Sequence, residues 1–332
     1  MTLLAFRTPA AAITTAEAPG AVPGQGPVVG PAPRLTSTVA KEYVHRACHA
    51  EVFLTGSEQL NETTFAVSAQ WPRAHTFFST PDGTRHDPIQ AAETIRQAGL
   101  YLAHTRFGVP LDHKFMMWNL DYTTRPRQLL IGAKPTDLTI EAKLVAQPRR
   151  TRSTVDFTFS AVVRRGPQLA ATGYARFTTV PGSTYERLRR GRLDVDALPV
   201  SGTTAEPLPP ARVGRLRPCD VVLTPACAPG TWHLTPDPWH PILFDHANDH
   251  IPGMVLIEAA RQATNALASP VTVTPTAAAT TFHRYAEHDA PTIITARHTP
   301  GEDPDALTTT VTGHQHGEPI FTTILTGHPD HR

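Results

Sequence analysis

The sequence predicts an α+β protein made of two copies of one unit, each a long helix wrapped by an antiparallel sheet. Three observations predict it. Short strings recur in the same order in both halves of the 332 residues. Each half holds one apolar run of helix length. Each half closes with paired Thr- and Val-rich segments around a glycine-containing turn.

The echoes set the register. AEVFLT at 50–55 answers CDVVLT at 219–224, and ETIRQ at 93–97 answers EAARQ at 258–262. Between them, FAVSAQWPRAHTFF from Phe65 answers WHLTPDPWHPILF from Trp232. The offset is 169 residues at the first echo and 165 at the last, so only small loop deletions separate the copies.

In chain order, residues 1–35 are rich in Ala, Pro, Gly and Thr and predict a flexible N-terminal tail. A first unit is expected over 36–180, a linker over 181–211 and a second unit over 212–330. The first helix is expected over 88–104. The second is expected over 252–268, where Pro252 sits at the start and its missing N–H costs nothing. This second helix is apolar on most sides, which calls for burial under a curved sheet. Residues 112–122, DHKFMMWNLDY, read as a strand entering the core, with Met116, Met117 and Trp118 as packing residues. The segments 154–179 and 308–326 are rich in strand-forming residues, and their Gly-Pro and Gly-Glu-Pro turns favour hairpins. Inside the linker, TYERLRRGR reads as a short helix.

Composition excludes several classes. Lys plus Arg is 30 and Asp plus Glu is 29, a formal charge of +1, which argues against a dedicated nucleic-acid binder. No apolar run approaches a membrane span. The start of the chain lacks the basic region of a secretion signal. Cys48, Cys219 and Cys227 cannot all pair within the chain and match no four-ligand zinc pattern, which predicts reduced thiols and a cytoplasmic protein.

The densest polar constellation is WHPILFDHANDHIPGMVLIE, from Trp239 to Glu258. It holds His240, His246, His250, Asp245 and Asp249 just before the apolar helix. The first-turn N–H groups of Gly253 and Met254 are free to donate. Burial of Glu258 would raise its pKa towards the range of a general base. Arg261 and Gln262 follow it on neighbouring turns. A structural pairing of Glu258 with Arg261 stays open, because Glu93, Arg96 and Gln97 repeat the trio in the first half. His246 and His250 are four apart, but Pro252 argues against a regular helix there. A catalytic or substrate-orienting histidine, His246 ahead of His250, is therefore expected rather than a metal site. Arg73, His75, Arg96, His104, His113 and Lys114 add positive or titratable groups, and Trp71 and Phe77 are candidates for an apolar channel.

The strings YVHRACHAEVFLTG, FAVSAQWPRAHTFF, ETIRQAGLYLAH, VPLDHKFMMW and HPILFDHANDHIPGMVLIEAARQA together resemble the A-factor biosynthesis family of actinobacterial proteins. The resemblance covers roughly 44–325 apart from the linker. It implies a tandem hotdog fold and a part in γ-butyrolactone autoregulator synthesis. The implied reaction moves a β-ketoacyl group from acyl carrier protein to the hydroxyl of dihydroxyacetone phosphate, with no cofactor and no metal.

The second-half motif is also similar to the helix entry of β-hydroxyacyl carrier-protein dehydratases. Those place a catalytic His before a Pro-Gly turn and a catalytic Glu in the following helix. The likeness points to Glu258 as the base and to His246 or His250 beside it, although the loop after His246 is two residues shorter. Glu93 is the counterpart in the first copy, where Asp87-Pro88 replaces the Pro-Gly entry.

The implied transfer also needs amides at Gly253 or Met254 to polarise the thioester carbonyl. It needs an arginine fork for the phosphate, for which Arg261 and Arg96 precede Arg73. An apolar channel around Trp71, Phe77, Trp239 and Phe244 would exclude water. The implied partners are the acyl-loaded carrier protein and dihydroxyacetone phosphate, with no nucleic acid and no membrane. Arg187, Arg189, Arg190 and Arg192 offer a basic patch to an acidic carrier. A duplicated unit fits a monomer or a homodimer. The residues alone support an acyl-handling enzyme. The alternatives are a thioesterase or hydroxyacyl-thioester dehydratase, and a non-catalytic ligand-binding protein.

Overall fold

The computed structural model describes residues 36–148, 153–194, 196–299 and 305–329. The tail expected over 1–35 lies outside them. The first half runs β1 (Leu54–Gln59), β2 (Thr64–Trp71), α1 (Pro88–Phe107), β3 (Lys114–Thr124), β4 (Thr136–Pro148), β5 (Val155–Arg165) and β6 (Gln168–Val180). A short helix, α2 (Gly182–Arg189), follows. The second half runs β7 (Leu223–Pro225), β8 (Thr231–Leu234), α3 (Gly253–Ala268), β9 (Val273–Phe282), β10 (Ile293–Thr299), β11 (Leu307–Gln315) and β12 (Glu318–Pro329).

Local sequence explains the main elements. Pro88 opens α1, the Asp87 carboxylate accepts from Ile89 N at 3.0 Å, and Gly108 ends the helix at φ 67°. Strand β2 alternates, so Phe65, Val67, Ala69 and Trp71 point inward. Gly166 (φ 55°) turns the β5–β6 hairpin. His316 and Gly317 (φ 52° and 79°) turn the β11–β12 hairpin, as a two-residue loop with matching twist requires.

Among the described residues the strands form one antiparallel sheet, ordered β1-β2-β4-β5-β6-β3-β9-β12-β11-β10-β8-β7. Matching β1–β6 to β7–β12 makes this order a mirror about the β3–β9 seam. The sequence echoes are therefore a structural two-fold. Backbone hydrogen bonds repeat across it: Arg46 N donates to Lys41 O as Arg215 N donates to Pro210 O, and Val39 N to Leu54 O as Leu208 N to Leu223 O. The seam pairs Asn119 with Thr281 through to Thr123 with Ala277, and Thr280 N donates to Asp121 Oδ1 at 3.1 Å.

Each long helix packs under its own half of the sheet, and α1 also touches α3. This is the tandem hotdog arrangement that the family resemblance implies. Among the described residues no helix is long and apolar enough to cross a membrane.

The approach of β6 to α1 is close enough that a Cβ on Gly173 would overlap the Ile95 side chain. Gly173→Ala is therefore expected to cost roughly 1–3 kcal/mol by overpacking. Chemical denaturation of that variant, and of the double variant with Ile95→Val, checks this; the double variant recovers part of the loss.

Candidate active site

Each long helix carries a fully buried glutamate, and each is held in the same way. Glu93 accepts from Arg46 Nε (3.0 Å), Arg96 Nε (2.8 Å) and Gln97 Nε2 (2.8 Å). Glu258 accepts from Arg215 Nε (2.8 Å), Arg261 Nε (2.9 Å) and Gln262 Nε2 (2.6 Å). Each glutamine also holds the strand entry of its own half: Phe53 N donates to Gln97 and Val222 N to Gln262. Burial alone would raise both carboxyls. The paired arginines outweigh it and hold Glu93 and Glu258 at about 2.

The outer arginines cross between halves. Arg46 Nη1 donates to Ile242 O at 3.0 Å, and Arg215 Nη1 to Phe77 O at 2.6 Å. The loops they reach are set by a histidine in each copy. His75 Nδ1 accepts from Phe77 N and Phe78 N, and His240 Nδ1 from Ile242 N and Leu243 N. Accepting at Nδ1 leaves the proton on Nε2, which faces Glu51 at 3.3 Å in one copy and Asp220 at 3.0 Å in the other.

This arrangement corrects the expectation for Glu258. Its pKa is lowered, not raised, both oxygens are engaged, and it does not line the main cavity. Glu93 stands in the same position in the other copy. Arg261 is no open phosphate fork: it donates to Glu258 and to the Val213 and Gly214 carbonyls. Arg73 donates to Gly132 O and lines a separate cavity of about 320 Å³ with His75, Thr80 and Arg215.

The expected channel aromatics also lie elsewhere. Trp71 is buried and donates to Thr94 Oγ1, and Phe77 lies beneath the Arg215 guanidinium, 3.9 Å from the ring centre. Trp239 is 79% exposed, and Phe244 packs half-buried against the core.

The main cavity, of about 350 Å³, opens where the two halves meet. The second half lines it with His246, His250, Gly253 and Met254, and the first half with His45 and Arg96. Its apolar walls include Leu100, Phe115, Leu120, Leu256 and Phe282. Met116, Met117 and Trp118, read from sequence as packing residues, line it too.

Three features set the chemistry this cavity can offer. First, α3 begins after Pro252 with no side-chain cap, and Gly253 N and Met254 N make no hydrogen bond among the described residues. Free amides at a helix start favour a developing negative charge. The start of α1, in contrast, is plugged by Asp87.

Second, the His250 ring is partnered. Its Nδ1 lies 2.7 Å from Asp249 Oδ1. Burial opposes ionisation of Asp249, but hydrogen bonds from His250 and Tyr185 hold its carboxyl below the usual range. The carboxylate thus accepts from Nδ1–H and leaves Nε2 as a proton acceptor. His246 is more exposed, 46% against 28% for its side chain, and lies 3.6 Å from Asp245. Asp245 itself binds the Ala47 and Cys48 amides across the halves. The two histidines lie in a turn-rich loop, not on one helix face.

Third, the first-half wall sets a neutral imidazole beside a guanidinium edge. His104 Nδ1 faces Val109 O at 2.7 Å and so carries its proton there, which makes His45 Nε2 the donor to His104 Nε2 at 2.9 Å. Burial, then Arg96, His104 and His246, push His45 down to about 3. Arg96 keeps Nη1 free of hydrogen bonds among the described residues.

Sequence reading missed Arg46 and Arg215. The signal was present, since both lie at the 169-residue offset of the first echo.

Glu258→Gln leaves buried Arg261 without its bonded carboxylate and Arg215 with Asp87 alone, 3.3 Å away, and is expected to cost about 3–5 kcal/mol. The two glutamates, depressed from 4.5 to about 2, stabilise the fold above the higher value and lose this as pH falls towards the lower. Urea titrations between about pH 6 and 2 check both points; the wild-type acid decline becomes shallower in the variant.

A family model described as the A-factor biosynthesis hotdog domain matches residues 30–181 and 199–329. A Streptomyces virginiae protein named 2-oxo-3-(phosphooxy)propyl 3-oxoalkanoate synthase is 42% identical over 291 residues, covering 88% of this chain and 98% of that one. A Streptomyces griseus protein of the same name is 40% identical over 291 residues, covering 87% and 95%. Among solved structures, the 12:0-ACP thioesterase from Umbellularia californica aligns with a TM-score of 0.47 at 10% identity, over 82% of this chain and all (100%) of that one. The chain belongs to the A-factor biosynthesis hotdog family.

Proposed function

We propose that this protein is an acyltransferase that esterifies the hydroxyl of dihydroxyacetone phosphate with a β-ketoacyl group taken from a thioester. The product is a 2-oxo-3-(phosphooxy)propyl 3-oxoalkanoate, as the names of its relatives state for theirs. It is a precursor of γ-butyrolactone signals. The carrying observation is the convergence, in one cavity, of the free α3 amides, the His250–Asp249 pair and Arg96. The two hotdog units span 36–180 and 212–330, joined by 181–211.

The acyl chain lies along the apolar walls between α1 and α3, and the thioester carbonyl points at Gly253 N and Met254 N. Arg96, backed by His45 and His246, takes the phosphate of the acceptor. His250 Nε2 removes the acceptor's hydroxyl proton as its oxygen bonds to the carbonyl carbon. The amides carry the resulting oxyanion. The C–S bond then breaks, and the proton on Nε2 goes to the departing thiolate. Glu258 and Glu93 hold the walls and touch no substrate. No cofactor takes part.

The donor is acyl carrier protein. Arg187, Arg190 and Arg192 are exposed at the end of α2 and suit an acidic carrier, whereas Arg189 is buried. Pairing of the two units within one chain suits a working monomer. The free cysteines suit the cytoplasm.

Mass spectrometry of a β-ketoacyl pantetheine thioester incubated with the protein tests this. A phosphate-bearing ester is expected only when dihydroxyacetone phosphate is present. His250→Gln is expected to lower kcat/KM by about 10²–10⁴-fold without a loss of melting temperature. Thioester consumption independent of the acceptor would mean hydrolysis, and full activity in the variant would move the base elsewhere.

A further inference from the structure

We infer that α2, in the segment joining the two halves, is a working part of the active site. Its Tyr185 and Arg189 are positioning residues that lock Asp249 against His250 and so fix which ring nitrogen faces the cavity. The inference rests on His250 being the base.

The helix has eight residues, and most of its side chains are exposed. Tyr185 and Arg189, four apart, are the buried pair on its inner face. Both converge on one carboxylate. Tyr185 Oη lies 2.9 Å from each oxygen of Asp249. Arg189 Nε donates to Asp249 Oδ2 at 3.1 Å and Nη2 to the Asp249 carbonyl at 2.9 Å. His250 Nδ1 takes the remaining face of Oδ1 at 2.7 Å.

The same guanidinium reaches the opposite wall. Its Nη1 and Nη2 donate to Glu287 at 2.7 and 2.8 Å. It also lies 4.3 Å from the ring centre of Tyr285, which in turn lies 4.8 Å from the His250 ring at an interplanar angle of 72°. Arg189 thus ties the loop before α3 to the loop after β9, and His250 is held between them. A strap that only joined domains would need none of these bonds to end on the residue partnering a cavity histidine. The planar fork has a fixed geometry, so displacing Arg189 displaces Asp249.

Other charged groups share the His250 environment. His288, Glu287 and Arg284 come from the loop after β9. His246, His45 and Arg96 face it across the cavity. All of them are kept in the variants below.

The test is the pH profile of kcat/KM for the β-ketoacyl pantetheine thioester and dihydroxyacetone phosphate, with melting curves alongside. Asp249→Asn is expected to lower the plateau by about 10²–10⁴-fold. It also moves the acid limb to lower pH, because the protonated ring loses its anionic neighbour. Tyr185→Phe and Arg189→Gln are expected to lower kcat by about 10–100-fold. They move the acid limb the other way, because the carboxylate is less neutralised, and leave the acceptor KM unchanged. Tyr185→Phe loses one hydroxyl, so it carries the test if Arg189→Gln fails to fold. Unmoved limbs and wild-type kcat in Tyr185→Phe, with His250→Gln inactive, would overturn the positioning role alone. An active His250→Gln would overturn the base reading, and this inference with it.

Discussion

A buried carboxylate needs compensation from several donors at once, and the fold is organised around meeting that need twice. Glu93 and Glu258 are each removed from water in the middle of a helix. Their desolvation is costly unless matched by close, well-directed positive charge. Two arginines and a glutamine provide it in each copy. The donors are spread over different elements, so satisfying the charge fixes those elements relative to one another. The second arginine of each set goes further. Arg46 and Arg215 end on backbone carbonyls of the opposite half, beside the histidine-braced loops at 75–78 and 240–243. The clasp therefore determines how the halves meet, and the main cavity exists at that meeting line.

Small departures from the two-fold make the two related cavities chemically different. His45 and Gly214 are equivalent and both left-handed, at φ 53° and 65°. A Cβ on Gly214 would lie 3.1 Å from Arg261 Nη1. The glycine thus lets Arg261 fold down and seal its side. His45 puts a ring in the equivalent place, and Arg96 keeps an accessible edge: its side chain is 18% exposed against 5% for Arg261. The helix starts diverge in the same sense. Asp87 closes the amides of α1, whereas Pro252-Gly253 leaves those of α3 open. Asp245, which binds two amides across the halves, is answered by the neutral Thr80 in the other copy.

Much of this was legible in the residues because repeats and helix boundaries are local signals. The echoes announced the duplication, and Pro88, Pro252 and the glycine-containing turns marked the elements. Gly253, Met254, His246, His250 and Arg96 were all singled out, and all line the cavity. Glu258 was misjudged because a lone carboxylate in an apolar helix reads as a raised pKa. Its depressing partner, Arg215, stands 43 residues away. Trp71, Phe77 and Trp239 show the same limit. Aromatic character predicts burial or contact, but tertiary placement decides whether a ring meets a cavity, the core or solvent. Met116–Trp118 erred the other way: all three line the cavity, where β3 departs from regular pairing between Met117 and Asn119.

Duplication within one chain is what makes this asymmetry available. In a homodimer of single units every substitution appears in both sites, so a residue that opens one also opens the other. Here one copy lines the cavity with the free α3 amides and His250, and the other with Arg96. In the proposed transfer these contributions pull against each other, because a guanidinium that attracts a phosphate disfavours a second positive charge nearby. In the proposed transfer Asp249 is the local answer to that conflict, a carboxylate on the far nitrogen of His250. Its own charge is sustained by Tyr185 and Arg189, which belong to neither copy of the repeat but to the segment between them. The joining segment is thus the element a symmetric dimer would lack, and it ends on the carboxylate that partners the proposed base.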